Sequence, residues 1–509
     1  MDGSYTYPEE FDQATKELCI ECALIRKIIP ENSVKIKMTK DNFISHWKKA
    51  KEETSSSYSG LHFGHYKAGT ASAYISHFHA LKATLIMHHG VVLKRWAQGL
   101  SVMLQKLYGC SLITKLRSIL LMEADFNGAN KLVFGSRMLE KARRNGLMPE
   151  EIFSERNKMA DDGTLTKVLT YDIIRQTRRP AGLASVDADN CYDRIAHAIA
   201  SLVFQAFGVP LSASESMLTT IQEMKFFLRT GFGDSTDFAT STLSIRTQGL
   251  CQGNGASPAG WAVVSICIIN AHKKKGHGAH FACPISKQGS HITGIIFVDD
   301  TDLIHFRMDE DQDVIETFYH MQEAITSWGK LLLATGGALK PSKCFFHLIS
   351  FKWNKAGVWS YDDNEENEEY RARVPLADGS FGDIEHLGVN TPIKTLGSMT
   401  CPTGCNKGSI KYMLAKGKAW KDMISAGHQP AECVVHARKT ILAESRIRTM
   451  RGDGYATGVI GMLDEDILRD TPTGGDQTFS EKRNQTVRYR ILWYWVSTPS
   501  SGMPLRSTE

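Results

Sequence analysis

The sequence of 509 residues contains no long run of apolar residues and no secretory signal. Because a membrane-spanning helix needs about 20 consecutive apolar residues, we expect no membrane role. Cysteines are few, and their number, eleven, is odd. We therefore expect reduced thiols in an intracellular protein, with the choice between nucleus and cytoplasm left open.

Regular metal-binding and nucleotide-binding spacings are also missing. Cys19 and Cys22 form an isolated C-x-x-C pair. A second set is widely spaced along the chain: Cys401, Cys405, Cys433 and His436. Neither set has the spacing of a zinc finger, so zinc is the less favoured interpretation. The glycine-rich segment at 249–261 lacks the Gly-Lys-Ser/Thr ending of a P-loop, which excludes an NTPase of that kind.

Charge of one sign is not in large excess, since the net charge is only +5. Such a charge does not by itself identify a nucleic-acid-binding protein. A lysine run, Lys273 to Lys275, follows an apolar segment, and more lysines follow later in the chain: Lys407, Lys411, Lys416, Lys418 and Lys421. These lysines are candidates for contacts with backbone phosphates, although a lysine-rich helix face is also common on solvated surfaces.

What the sequence does contain is a pair of adjacent carboxylates, Asp299 and Asp300, between two short apolar runs in GIIFVDDTDLIHF, residues 294–306. This pattern predicts two β-strands joined as a hairpin with an acidic tip. A bound divalent cation would explain apolar burial around two repelling anions. The alternative is a turn that uses aspartate only for its turn chemistry.

A second acidic segment, DADNCYD, follows a short apolar strand that ends at Asp187. From Ile195 onward, apolar residues recur at helical spacing. Asp189 or Asn190 can cap this helix, and Asp193 in its first turn would favour the positive end of the dipole. Asp187 has no such structural role, so it is a candidate metal ligand beside the acidic hairpin.

These two segments resemble the polymerase domains of reverse transcriptases, in particular those of non-LTR retroelements. FVDD, residues 297–300, is similar to the aromatic-x-Asp-Asp box of the family, and DADNCYD to its first-aspartate box. The resemblance implies that Asp187 and Asp299 are metal ligands supported by Asp300, and that all three are catalytic. It also implies that Tyr192 lies beneath the incoming sugar, where it can exclude a 2′-hydroxyl.

Further segments match in the order of that family, over residues 54–425. GLCQGNGASPAGW resembles its Gln-Gly loop, with Ser257 as the predicted cap of the following helix, and GGALKPSKCFF resembles the next box. HLGV, residues 386–389, resembles the hairpin that grips the primer. One departure is Asn254, which follows the Gln-Gly pair. The substrate-binding residues implied by the resemblance are Arg117, Tyr192, Gln252, Gly253 and Lys343.

The implied reaction is phosphoryl transfer, in which a primer 3′-hydroxyl attacks the α-phosphate of a nucleotide and pyrophosphate leaves. Two Mg²⁺ ions, with Mn²⁺ as a possible substitute, would lie about 3.5–4 Å apart and stabilise the attacking and leaving oxygens. The implied partners are an RNA template, a DNA or RNA primer and dNTPs. The oligomeric state is left open.

The resemblance implies an α+β fold, a right-hand polymerase whose palm is a ferredoxin-like antiparallel sheet with helices on one face. The predicted regions are an unassigned N-terminal extension (1–53), fingers (54–180), palm with fingers insertions (181–350), acidic insertion and primer-grip hairpin (351–390), thumb-like helical region (391–428) and a partly disordered C-terminal tail (429–509). Within the acidic insertion, no apolar strands enclose the triplet Tyr361, Asp362 and Asp363, which is therefore predicted to be solvated.

Two other functions are consistent with parts of this pattern. An RNA-dependent RNA polymerase also uses paired aspartates, but Val298 and Tyr192 favour a reverse transcriptase. A noncatalytic, maturase-like RNA-binding protein would keep the fold, yet no metal carboxylate is lost here. We find no endonuclease or RNase H constellation beside the polymerase segments, and we expect the polymerase part of a larger or decayed element.

Overall fold

The computed structural model describes residues 5–426, apart from 53, 55–56, 107–108, 111, 113–114, 243–246, 284, 363–366 and 368. The predicted C-terminal tail, 429–509, lies outside the described residues, as do the last two residues of the predicted thumb-like region.

Helices are more abundant than strands in the described chain. They are α1 Gln13–Ile28, α2 Lys40–Trp47, α3 Phe63–Gly69, α4 Ala73–His89, α5 Ala124–Asn130, α6 Leu139–Arg144, α7 Ala160–Thr177, α8 Cys191–Arg194, α9 His197–Ala206, α10 Leu211–Gln222, α11 Ser257–Lys274, α12 Val314–Ala334 and α13 Lys407–Ala426. A π-helical segment, Lys131–Met138, joins α5 to α6, and a 3-10 turn, Pro341–Lys343, follows α12.

Strands alternate with these helices. They are β1 Gln98–Gln105, β2 Leu116–Leu121, β3 Ala181–Asp187, β4 Lys225–Thr230, β5 Gly233–Ala239, β6 Ala279–Ala282, β7 Gly289–Ile292, β8 Gly294–Phe297, β9 Asp300–Arg307, β10 Phe345–Trp353, β11 Trp359–Asp362, β12 Arg373–Pro375, β13 Phe381–Asp383, β14 Glu385–His386, β15 Ile393–Thr395 and β16 Ser398–Thr400.

The central sheet has eight strands within the described chain, ordered β11-β10-β3-β9-β6-β7, with β14 paired to β10 and β8 to β9. Its middle strands, β10, β3 and β9, are antiparallel, whereas β6 runs parallel to β9 and β14 runs parallel to β10. The sheet is therefore mixed, and the α+β class predicted from the sequence is confirmed.

Helices cover both faces of the central sheet, although the sequence predicts helices on one face. Ala184 and Val186 of β3 belong to the larger core, together with buried residues of α1, α9, α11 and α12. Leu183, which points to the opposite face because strand side chains alternate, packs with Tyr171 and Ile174 of α7. Helix α7 thus covers the second face, which corrects the one-sided prediction.

A second sheet of four strands, ordered β2-β1-β4-β5, combines two distant parts of the chain. β1 pairs antiparallel with β2 and parallel with β4. The segment from β4 to β5 thus adds to a sheet begun more than a hundred residues earlier.

The N-terminal residues, which the sequence leaves unassigned, belong to the core. Leu18, Cys22 and Ile25 of α1 are buried in the larger cluster. Phe43 and Trp47 of α2 are buried in a smaller cluster. These helices therefore form part of the folded body.

The lysine run after α11 is engaged within the protein. Lys273 pairs with Glu151, Lys274 pairs with Glu21 of α1, and Lys275 pairs with Glu17 of α1. These pairs join α11 to α1 and to the segment before α7. The run therefore does not form the free phosphate-binding surface considered from the sequence.

Among the helices of the described chain, none has the length and apolar character needed to cross a membrane.

Candidate active site

The acidic hairpin predicted from the sequence is formed by β8 and β9. Phe297 pairs with Asp300 in an antiparallel register, which leaves Val298 and Asp299 as a two-residue turn. Apolar residues of both strands, such as Ile296 and Leu303, are buried in the core. The apolar runs thus fix the strands, and the carboxylates lie at and beside the turn.

The turn of this hairpin has an unusual backbone conformation at Val298, whose φ is 59°. This left-handed region is uncommon for residues other than glycine and costs of order 1–3 kcal/mol. The indole Nε1 of Trp261, on α11, donates a hydrogen bond of 2.6 Å to the carbonyl oxygen of Val298. The buried helix α11 therefore holds the turn that presents Asp299.

Asp187 lies at the end of β3, and its partner in the antiparallel register with β9 is Asp300. Residues directly opposite one another on antiparallel strands carry Cβ atoms about 4.5–5.5 Å apart on the same face. Asp187 and Asp300 are thus cross-strand neighbours, with Asp299 at the adjoining turn. The three predicted carboxylates converge, although 112 residues separate the first two in sequence, Asp187 and Asp299.

Burial and mutual repulsion weaken the acidity of two of these carboxyl groups. Burial, together with the charges of Asp299, Asp187 and Asp302, raises the pKa of Asp300 to about 6. Burial also raises the pKa of Asp299, with a contribution from Asp187. Three like charges in one place are unfavourable unless cations neutralise them.

Two cationic side chains lie near the carboxylates. The ammonium of Lys343 lies 2.8 Å and 3.1 Å from the two carboxylate oxygens of Asp187, which raises the pKa of Lys343. The positive charges of Lys343 and Arg117 both lower the pKa of Asp299. Arg117 is exposed on β2, opposite Leu104 in the register with β1.

Lys343 reaches Asp187 because the chain before β10 runs alongside the end of β3. The amide of Lys340 donates to the carbonyl oxygen of Asp187, and the amide of Asp189 donates to that of Ala338. This segment ends in the 3-10 turn that carries Lys343. The basic residue predicted from the sequence therefore lies beside the first predicted carboxylate.

The donor chemistry of this cluster fits a magnesium ion, because Mg²⁺ binds one or two carboxylates and completes its shell with water and phosphate oxygens. Within the described ranges, no three His, Cys, Asp or Glu side chains are arranged as a ready ligand set. The three predicted carboxylates are thus not preassembled as a ligand set, and Asp187 is paired with Lys343. The mutual repulsion of the carboxylates is the feature that favours a cation.

The Gln252-Gly253 loop is fixed between β2 and α8. The carbonyl oxygen of Gln252 accepts a hydrogen bond of 2.8 Å from the amide of Leu120, on the strand that carries Arg117. Gly253 has φ of 123°, and a Cβ there would lie 2.2 Å from the carbonyl oxygen of Leu120. Glycine is therefore required, and the loop aligns β2 with the carboxylate site.

Side chains on either side of this loop complete its attachment. The carboxylate of Asp193 accepts from the amide of Gln252 at 3.1 Å, so Asp193 does more than favour the helix dipole as predicted. Asn254 is buried, and its side chain donates to the carbonyl oxygen of Leu250 and accepts from the amide of Ala256. The departure at Asn254 thus has a structural role at the start of α11.

The predicted helix caps differ from those in the structure. Asn190, with φ of 52°, occupies the position before α8, but its side chain makes no capping hydrogen bond. Asp189 pairs instead with Arg194 at 2.9 Å. Ser257 is the first residue of α11 and donates to the carbonyl oxygens of Leu250 and Cys251.

Tyr192, on α8, lies beside the carboxylates. Burial raises the pKa of its hydroxyl to about 12, with contributions from Cys191 and from the charge of Asp299. Its backbone carbonyl accepts from the amide of Leu250 at 2.6 Å. The structure therefore brings the eight predicted site residues into one region: Arg117, Asp187, Tyr192, Gln252, Gly253, Asp299, Asp300 and Lys343.

HLGV, residues 386–389, does not form a hairpin. His386 ends the short strand β14, which pairs with β10, and Val389 is buried in the core beside α7. The hairpin in this region is β15–β16, whose turn residues Leu396 and Gly397 have φ of 48° and 91°. Positive φ at both turn residues is typical of a type I′ hairpin turn.

Two other expectations need correction or lie partly outside the described residues. The sequence predicts that no strands enclose Tyr361, Asp362 and Asp363, but Tyr361 and Asp362 belong to β11, which pairs with β10. Asp363 is outside the described chain. For zinc, Cys401 is buried and contacts the carbonyl oxygen of Val389, while Cys433 and His436 lie outside the described residues.

The sequence reasoning missed one polar contact next to the site. Lys167 of α7 is buried and pairs at 2.8 Å with Asp302, two residues after Asp300 on β9. A lysine in an amphipathic helix normally indicates a solvated position, so no local signal predicts this burial. An aspartate inside an apolar strand is the only hint that the sequence contains.

No model of a known protein family matches this chain, and no curated protein matches it.

Proposed function

We propose that this chain is an RNA-directed DNA polymerase that extends a primer 3′-hydroxyl with dNTPs. The observation that carries the proposal is the convergence of Asp187, Asp299 and Asp300 on adjoining antiparallel strands of the central sheet. The pKa values of Asp299 and Asp300 are raised by burial and by neighbouring carboxylates, and such perturbed groups are typical of functional sites. Under this proposal, the central sheet is the palm of a right-hand polymerase.

Asp187, Asp299 and Asp300 are the residues that would hold magnesium. When bound, Mg²⁺ supplies charge stabilisation for the attacking and leaving oxygens in phosphoryl transfer. The carboxylates themselves provide a fixed negative surface, because β3 and β9 hold two of them in register and the β8–β9 turn holds the third.

The two cations would act on the phosphate side of the reaction. Arg117 is exposed on β2, and the Gln252-Gly253 loop fixes this strand relative to α8. A guanidinium can bind phosphate oxygens through two parallel hydrogen bonds, which orients the nucleotide. Lys343, bound to Asp187 here, is placed to contact a phosphate once that carboxylate has another partner.

Tyr192 supplies the basis for choosing between deoxynucleotides and ribonucleotides. Its side chain lies near Asp299 on α8, and the Gln252-Gly253 loop is anchored to this helix by hydrogen bonds to Tyr192 and Asp193. An aromatic side chain at the sugar position leaves no room for a 2′-hydroxyl, the group that distinguishes RNA precursors from DNA precursors. This feature favours dNTPs over NTPs.

The hairpin β15–β16 takes the role that the sequence assigns to HLGV, contact with the primer strand. It lies against α7, which also contacts β8: a Cβ on Gly163 of α7 would be 3.0 Å from Leu396 and 3.2 Å from Ile295 of β8. Helix α7 thus lies between the hairpin turn and β8.

The test is primer extension on an RNA template with purified protein and Mg²⁺, with either dNTPs or NTPs. The double variant Asp299→Asn/Asp300→Asn should lose DNA synthesis, while Asp383→Asn, an exposed aspartate on β13, should keep it. Synthesis from NTPs alone would favour an RNA polymerase. A folded wild-type protein that binds RNA without synthesis would favour the noncatalytic function.

A further inference from the structure

Lys167 is a charged side chain buried away from solvent on the second face of the central sheet. Only 1% of its surface is exposed. Its ammonium donates to the carboxylate of Asp302 at 2.8 Å and to the hydroxyl of Thr395 at 3.0 Å. Lysine is almost never fully buried unless it is paired, so this position is maintained by the contacts of the ammonium.

The partner carboxylate belongs to the strand that carries the candidate active site. Asp302 and Asp300 are two residues apart on β9, so their side chains lie on the same face. In the register with β3, Asp300 is opposite Asp187 and Asp302 is opposite Ser185. The ammonium of Lys167 thus contacts the next position along the face that presents the carboxylates.

The other partner belongs to the hairpin β15–β16. The hydroxyl of Thr395 lies 3.0 Å from that of Thr400 on the opposite strand, and both threonines are buried. The hydroxyl of Thr164, on α7, lies 3.4 Å from the carbonyl oxygen of Thr395. A continuous polar chain therefore runs from Asp302 through Lys167 to both strands of the hairpin.

We propose that Lys167 is a positioning residue that fixes the hairpin β15–β16 relative to the carboxylate strand β9. This inference rests on the proposed function for its consequence in catalysis: the hairpin then sets where the primer 3′-hydroxyl lies relative to Asp187 and Asp300. Lys167 lies on the same sheet face as Asp300 but is itself buried, so it acts through Asp302 and Thr395 and does not touch substrate. Its loss should lower the rate of the chemical step without weakening nucleotide or RNA binding.

The mildest test removes the hydroxyl of Thr395, which Lys167 contacts. Thr395→Val keeps the side-chain volume and removes the acceptor for Lys167, whereas Thr395→Ser keeps the hydroxyl. We expect kcat for primer extension to fall about tenfold in Thr395→Val, with the KM for dNTP within about twofold, and to be retained in Thr395→Ser, because misplacement of reacting groups reduces kcat before binding. Equal kcat in both variants overturns the inference.

A second test removes the ion pair. Lys167→Met alone leaves Asp302 buried without its cation, so the double variant Lys167→Met/Asp302→Asn is used to preserve folding. Lys330→Met, which changes an exposed lysine of α12, is the matched control. Hydrogen exchange of the peptide 393–400 should be at least about tenfold faster in the double variant than in the control, since exchange reports local opening.

The exchange measurement separates this inference from the proposed function. If the wild-type protein extends no primer, the proposed function is lost, but faster exchange in the double variant still supports the link between Lys167 and the hairpin. If exchange at 393–400 is unchanged in the double variant, the inference is wrong whether or not the wild type makes DNA.

Discussion

The indole of Trp261 and the carbonyl oxygen of Val298 are joined by a hydrogen bond of 2.6 Å, which connects the buried helix α11 to the turn between β8 and β9. Val298 has a left-handed backbone conformation that is unfavourable for a β-branched residue. The neighbouring Asp299 is therefore held in place by a contact from outside its own hairpin.

Trp261→Phe should lower the free energy of unfolding by about 1–2 kcal/mol, since it removes the donor and leaves the carbonyl of Val298 without this partner. It should also reduce primer extension, because the turn that presents Asp299 loses its support. Urea unfolding and extension rates measure the two effects. Trp353→Phe, at a residue that is 55% exposed, is the control and should change neither quantity.

Gly253→Ala should lower the free energy of unfolding by at least about 2 kcal/mol, because the new Cβ would lie 2.2 Å from the carbonyl oxygen of Leu120 and φ is 123°. Gly231→Ala, between β4 and β5, is the matched control, since a Cβ there meets no atom within 4 Å. Thermal unfolding of both variants compares the two sites. Equal midpoints would contradict the tight approach of the loop to β2.

Asp300→Asn should stabilise the metal-free protein at pH 7.5. Burial and neighbouring carboxylates raise the pKa of Asp300 to about 6, so the folded state carries an unfavourable charge above that pH. After a discount for solvent exposure, we expect a gain of about 1 kcal/mol. The gain should shrink as the pH falls through about 6 and vanish below the ordinary carboxyl pKa.

Urea unfolding of wild type and Asp300→Asn across pH 3.5–7.5 tests this prediction. Asp378→Asn, at an exposed aspartate between β12 and β13, corrects for a general change in net charge. A gain that is independent of pH, or a loss at pH 7.5, would show that repulsion at Asp300 does not limit stability.

Acidification should destabilise the central sheet at His305, on β9. Burial lowers the pKa of this histidine to about 4, so the unfolded chain binds a proton between pH 6.5 and 4 that the folded protein does not. The contribution of neutral His305 to the free energy of unfolding is complete above pH 6.5 and decreases as the pH falls toward 4. At pH 5 the loss amounts to about 2 kcal/mol.

His305→Gln removes this titration and can keep a hydrogen bond with Gln312, the present partner of the ring at 2.9 Å. The difference in unfolding free energy between pH 7.5 and pH 5 should be smaller in the variant than in wild type. His65→Gln, at an exposed histidine of α3, should leave the difference unchanged. An unchanged difference in His305→Gln would contradict the prediction.

The hairpin at Asp299 and Asp300 could be predicted because its two strands are adjacent in sequence and their apolar runs flank the acidic turn residues. The alignment of Asp187 with Asp300 required the pairing of β3 with β9, a long-range contact that no local pattern specifies. The family resemblance supplied that expectation. Local periodicity alone predicted a strand that ends at Asp187 but did not predict which strand pairs with it.

The hairpin β15–β16 was missed for a different reason. The chain contains two Leu-Gly pairs, in HLGV and at Leu396-Gly397. Sequence similarity to the primer-grip segment of reverse transcriptases favoured the first pair. Short extended segments flank only the second pair on both sides in the structure. Lys167 was missed because its burial depends on Asp302 and Thr395, which are distant in sequence and come together only in the folded protein.

The parallel pairing of β1 with β4 has a consequence for synthesis of the chain. The ribosome delivers β1 and β2 more than a hundred residues before β4, so one side of β1 has no backbone partner during that interval. Unpaired strand edges are templates for association with other chains. A nascent chain stopped before Lys225 would carry such an edge. Arg117 would then lie in a sheet that still lacks β4 and β5.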